Sequence, residues 1–133
     1  SKFNSPQGID VDNNGNVYVA DCSNNCIRKI TPDGNVTTLA GGTLGTANDT
    51  GTDAQFNNPY GIAVDNFGNI FVSDKFNYRI QKITSAGVVS TFADPSNGLY
   101  ISEPSGITVD NNGNVFVAYP YIHTTVNKRF RNT

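Results

Sequence analysis

Few side chains in this sequence could do chemistry, and their spacing matters more than their number. Cys22 and Cys26 flank Ser23-Asn24-Asn25. A thiol pair facing across a tight loop meets the geometry of a local disulfide. The loop it would close is short, so the stabilisation would be modest. Such a bridge would argue for an oxidising compartment. Two free thiols are the alternative. Zinc is not expected, because two thiols do not complete a site and the sole histidine, His123, is about a hundred residues away.

Asp10-x-Asp12-x-Asn14-Gly15, with Asp21 at the twelfth position, has the spacing of a calcium loop with Asp in place of Glu. A tight turn explains Asp12, Asn14 and Gly15 equally well, and no metal or cofactor is expected. Asn35-Val36-Thr37 and Asn48-Asp49-Thr50 fit the glycosylation pattern. Asn48 lies in a long connector, which makes it the first candidate in a secreted eukaryotic protein. No Ser-His-Asp spacing, nucleophile elbow, phosphate loop or histidine cluster occurs. No catalytic residue is therefore assigned, and the chain reads as a non-enzyme.

Lys128, Arg129 and Arg131 beside Phe130 form a small basic cluster in a chain of net charge −2. That balance argues against nucleic acid or anionic membrane as partner. No apolar run approaches the roughly 20 residues of a membrane span. The start of the sequence has no basic-then-apolar signal pattern. Tyr100, Tyr119, Tyr121 and Phe130 make the C-terminal third rich in aromatics, which are enriched at interfaces. They are the candidate contact residues, for a partner or for a further structural unit.

The elements that position these residues repeat. PQGIDVDNNGNVYVAD begins at Pro6, PYGIAVDNFGNIFVSD at Pro59 and PSGITVDNNGNVFVAY at Pro104. The offsets are 59 − 6 = 53 and 104 − 59 = 45 residues. IRKITPDGNVTTLA from Ile27 is matched by IQKITSAGVVSTFA from Ile80. The difference in period falls in the connectors, residues 41–58 and 94–103.

Within each unit, Ile9 and Val11 alternate with polar residues, and Asp12-Asn13-Asn14-Gly15-Asn16 then turns the chain. Gly supplies positive φ there, and Asp or Asn suits the turn. Val17 to Ala20 is a continuous apolar strand, which implies burial on both faces. Cys26–Thr31 and Val36–Ala40 are the third and fourth strands, joined by Pro32-Asp33-Gly34. Asp21 and Asp74 recur at the end of the second strand, where they are expected to bond amides of the hairpin loop. Four short antiparallel strands repeating at about 40–50 residues indicate an all-β protein built of β-propeller blades. The blades run approximately over 6–40, 59–93 and 104–131.

Pro-x-Gly-Ile-x-Val-Asp, then Gly-Asn-(Val/Ile)-(Tyr/Phe)-Val-x-Asp, then Asn-x-x-Ile-x-Lys-Ile resembles the NHL repeat family of β-propellers. The resemblance reaches to about Tyr119. It implies a propeller that serves as a binding scaffold, although lactonases, strictosidine synthase-like proteins and peptidyl-amidoglycolate lyases share the architecture. The third copy departs from the pattern. Tyr119 replaces the aspartate, Tyr119-Pro120-Tyr121-Ile122-His123 replaces the hairpin loop, and Thr125–Phe130 is a third strand shifted by one residue. No fourth strand follows.

Three units are too few for a propeller of 4–8 blades. A larger propeller, a dimer that completes a six-bladed ring, and a head-to-tail filament are the alternatives. The expected function is protein interaction or extracellular structural assembly, with self-association and protein partners. The rival is a lactonase or lyase whose metal site needs further blades.

Overall fold

The computed structural model describes residues 2–97, 103–120 and 125–131, with the backbone alone described at 97, 120 and 125–131. The first blade is β1 (Pro6–Val11), β2 (Val17–Asp21), β3 (Cys26–Ile30) and β4 (Val36–Gly41), hydrogen-bonded in that order. The second is β7 (Pro59–Val64), β8 (Ile70–Asp74), β9 (Arg79–Ile83) and β10 (Val89–Ala93). Between them, β5 (Thr43–Leu44) and β6 (Gln55–Phe56) form a short parallel pair within the connector. The third unit is β11 (Ile107–Val109), β12 (Asn114–Pro120) and β13 (Thr125–Arg131). All pairing within the blades is antiparallel, as the repeat analysis requires.

The first hairpin of each blade is tied by its aspartate. Asp12 accepts from the amides of Asn14 and Asn16, each at 2.9 Å, and Gly15 sits at φ +84°. Asp65 and Asp110 make the same bonds in the other two turns. A Cβ-bearing residue would be strained at that glycine. The turn thus sets the register of the first two strands through bonds that span no more than four residues.

Two cores lie between blades, not inside them. Tyr18, Ala20 and Ile27 of the first blade pack with Ile62, Ile70, Val72 and Ile83 of the second, and Phe56 of the connector fills the same space. Phe71, Ile80 and Ala93 on the opposite face of the second blade pack with Val115, Val117 and Tyr119. A single sheet cannot cover both its apolar faces, and stacking solves this. The inner strands approach closely: a Cβ on Gly8 would lie 2.8 Å from the Ile62 amide, and one on Gly61 would overlap the Ser105 carbonyl oxygen.

The third unit differs from expectation in register. Val115 pairs with Phe130, whereas Val17 pairs with Ile30 and Ile70 with Ile83. The shift of β13 is therefore two residues, not one. Two residues keep an apolar position opposite Val115; a shift of one would set Arg129 there.

Candidate functional site

At the end of β2 and β8, an aspartate gathers the blade's opening, loop and third strand. Asp21 accepts from the Asn4 amide at 2.7 Å, from Asn24 Nδ2 at 2.8 Å and from Arg28 Nε at 3.0 Å. Asp74 accepts from the Asn57 amide at 2.7 Å, from Asn77 Nδ2 at 2.8 Å and from Arg79 Nε at 2.8 Å. Both carboxylates are inaccessible to solvent. The amide that each binds comes from the lead-in to the blade, not from the hairpin loop as expected. Ser5 and Asn58, next in sequence to those amides, have φ of 53° and 52°, so the chain kinks there before each proline.

The arginines come from different repeat positions. Arg79 aligns with Cys26, and Arg28 aligns with Gln81. Residues two apart on a strand share a face, so either position can reach the same aspartate. Burial pushes the Asp21 carboxyl up, but the bonds from Asn4, Asn24 and Arg28 outweigh it and hold it below the usual carboxylate value. For Asp74 burial wins over the same kinds of bond, and its carboxyl sits above that value. The connector explains the contrast. Arg79 also donates to the carbonyls of Thr46 and Gln55, at 3.0 and 3.2 Å, so the second pair is roofed by residues 41–58. Arg28 instead finds the Thr38 hydroxyl at 2.6 Å and, at 3.4 Å, the Lys2 carbonyl.

The calcium reading of Asp10, Asp12, Asn14 and Asp21 is not supported by the geometry. Asp12 is occupied by its own turn and by the Tyr18 hydroxyl at 3.0 Å. Burial and that carboxylate push the Tyr18 phenol up to about 12. Asp10 accepts from the Val64 amide at 2.9 Å, a strap to the second blade. Asp21 belongs to the cluster above. Among the described residues no three His, Cys, Asp or Glu side chains gather as a metal site.

The expected disulfide is absent: Cys22 and Cys26 are free thiols. The register explains why. Asp21, not Cys22, stands opposite Cys26, and Cys22 begins a 3-10 turn, Cys22–Asn24. The buried Cys26 thiol lies 3.8 Å from the Asp21 carboxylate, and burial pushes it up to about 11. The argument for an oxidising compartment loses its basis with the bridge.

The two sequons also change rank. Asn48 accepts from Gln81 Nε2 at 2.6 Å and donates to the Thr91 hydroxyl at 3.0 Å, so its amide is engaged in holding the connector. Asn35, in the turn before β4, is exposed and its side chain makes no such bonds. Of the aromatic candidates, Tyr119 is 6% exposed within the second core and so faces the second blade, not a partner. Tyr100, Tyr121 and His123 lie outside the described residues. Phe130 and the basic residues Lys128, Arg129 and Arg131 are placed by backbone alone, in β13.

Sequence reasoning passed over Phe67. It stands where the other two turns carry Asn14 and Asn112, and it is 88% exposed. That departure from the repeat was the available signal. Ile9 and Val11, which alternate with polar residues along β1, are 66% and 54% exposed. Their counterparts Ile62 and Val64 are covered by the first blade.

The NHL repeat family model matches residues 3–30. No curated protein matches the chain. Among solved structures, a Bacteroides thetaiotaomicron protein of unknown function is 25% identical with a TM-score of 0.74, over 86% of this chain and 32% of its own. Virginiamycin B lyase from Staphylococcus aureus is 21% identical, TM-score 0.66, over 96% of this chain and 41% of its own. A gluconolactonase from Xanthomonas campestris is 15% identical, TM-score 0.71, over 90% and 36%. The last two show likeness of fold. The chain spans well under half the length of each of these proteins. The three copies of one phrase, the blades they build, the family match and these neighbours agree: the chain carries an NHL repeat at residues 3–30 and has the fold of a partial β-propeller.

Proposed function

We propose that this chain is a non-enzymatic interaction scaffold that works by assembly with further blades of its own kind. The observation that carries the reading is the bare face of the first blade. Phe3, Pro6, Ile9, Val19 and Ile30 line an apolar groove of about 350 Å³ there. The same face of the second blade is closed by the first. Contiguous exposed apolar surface marks interaction sites. For the chain by itself, the matching cover is the third unit of a second copy. Its Gly106 occupies the repeat position of Gly8 and Gly61, yet a Cβ there would meet only Ala118 Cβ at 3.6 Å.

Light scattering of the chain over a range of concentrations tests this. The expected result is association that Ile9→Asp abolishes, with the fold retained because Ile9 is two-thirds exposed. A wild-type chain that stays monomeric throughout overturns the reading. The rival reading, a lyase or lactonase completed by additional blades, takes its support from the fold of virginiamycin B lyase and the gluconolactonase. Lactone hydrolysis is assayed with added Ca²⁺, Zn²⁺ or Mn²⁺. No turnover is expected; metal-dependent turnover would favour the rival.

A further inference from the structure

Phe67 forms part of the walls of two grooves that run between neighbouring blade turns. One, of about 450 Å³, lies between the turns of the first and second blades, with Asn13, Asn14, Lys29 and Ser85 on its walls. The other, of about 280 Å³, lies between the second and third, against Asn111 and Asn112. The larger is within the range of small-ligand sites, about 300–1,000 Å³. Neither shares a lining residue with the apolar groove of the first blade, so the site is independent of the assembly reading.

The chemistry of these walls is specific. The carboxylates of Asp12, Asp65 and Asp110 are consumed in bonding the amides of their own turns. What remains free is neutral amide, with the Lys29 ammonium and the Ser85 hydroxyl on the wall of the larger groove. The side chains of Asn13, Asn14 and Asn112 have no partner among the described residues. Asn66 is tied to Asn111 at 3.3 Å, which joins two of the turns. Phe67 therefore stands as a bare ring between unpaired amide groups, on a turn whose backbone is locked by Asp65. A ring this exposed gains nothing from the protein's own core.

We infer that this rim binds a neutral oligosaccharide, with Phe67 as the stacking platform and Asn13, Asn14 and Asn112 as hydroxyl partners. A pyranose carries a face of C–H groups and a belt of hydroxyls. The first covers an aromatic face and the second needs paired donors and acceptors, which carboxamides supply together. An extended peptide would need an open strand edge or apolar side-chain pockets, and these grooves have neither on their walls. A nucleic acid would need more cationic surface than Lys29 provides.

The test is isothermal titration of the whole chain with cellotetraose, laminaritetraose, maltotetraose, xylotetraose and mannotetraose in turn. Binding of at least one is expected. Phe67→Ala should weaken it about tenfold or more, and Phe67→Tyr should retain it. Asn14→Ala should weaken it as well. The melting temperature of Phe67→Ala should match wild type, so a folding defect cannot imitate the result. Binding of none of these sugars, undiminished binding by Phe67→Ala, or preferential binding of a single-stranded oligonucleotide overturns the proposal.

Discussion

Gly61→Ala is expected to cost at least about 3 kcal/mol, at the upper end of the overpacking range. The added Cβ would lie 2.6 Å from the Ser73 hydroxyl and inside contact distance of the Ser105 carbonyl oxygen. Those two groups bond each other across the junction of the second and third blades. The Ser105 oxygen is backbone, so the methyl group can be admitted only by moving one blade off the next. Gly106→Ala is the control at the same repeat position. Its Cβ would meet Ala118 at an ordinary 3.6 Å, and its cost in a dissociated chain should stay within about 1 kcal/mol. Urea denaturation of the two variants, at a concentration where the chain is monomeric, checks the contrast. Equal costs would mean that the blade junction is not the tight contact described.

Asp74→Ala should be nearly as damaging, at about 3–5 kcal/mol, because it strands a buried charge. Arg79 is 8% exposed, and its Nε has the Asp74 carboxylate as partner. The Asn57 amide and Asn77 would lose an acceptor with it. Asp21→Ala should cost less, since the Arg28 side chain retains more contact with solvent than that of Arg79. The pairs should differ in pH dependence as well. Asp21 is held low, so its contribution is full above the unfolded carboxylate pKa and is lost as pH falls through the depressed value. Asp74 is pushed up by burial, so its contribution is full below the unfolded pKa and declines as pH rises through the raised value. Stability measured across the acid range in each alanine variant reads the two signs. A loss below about 1 kcal/mol in Asp74→Ala would show that the cluster is not a structural anchor.

The blades were legible because their signals are local. Asp12, Gly15 and the alternation through Val11 specify a hairpin within a dozen residues, and threefold repetition removes the ambiguity of any one copy. The connector was not legible. Thr46 contributes a carbonyl to Arg79 and Asn48 a side chain to Gln81 and Thr91, and neither contact leaves a pattern in sequence. Cys22 and Cys26 misled for a related reason. Their spacing suits a loop, but the register gives the place opposite Cys26 to Asp21. The exchange of arginine between the positions of Cys26 and Arg28 is visible in an alignment of the repeats. It acquires meaning only when both positions are seen to face one carboxylate. Phe67 was visible as an irregularity, and its exposure was needed to make it a candidate.

The placement of the first core between two blades has a consequence for synthesis. Tyr18, Ala20 and Ile27 leave the ribosome early, but the residues that cover them include Ile62, Ile70, Val72 and Ile83. The stretch from Gly41 to Ala93 must be made before the second sheet can close over the first. At about 5–20 residues per second that interval is about 3–10 s. Throughout it the side of the first sheet that carries Tyr18, Ala20 and Ile27 waits for its cover.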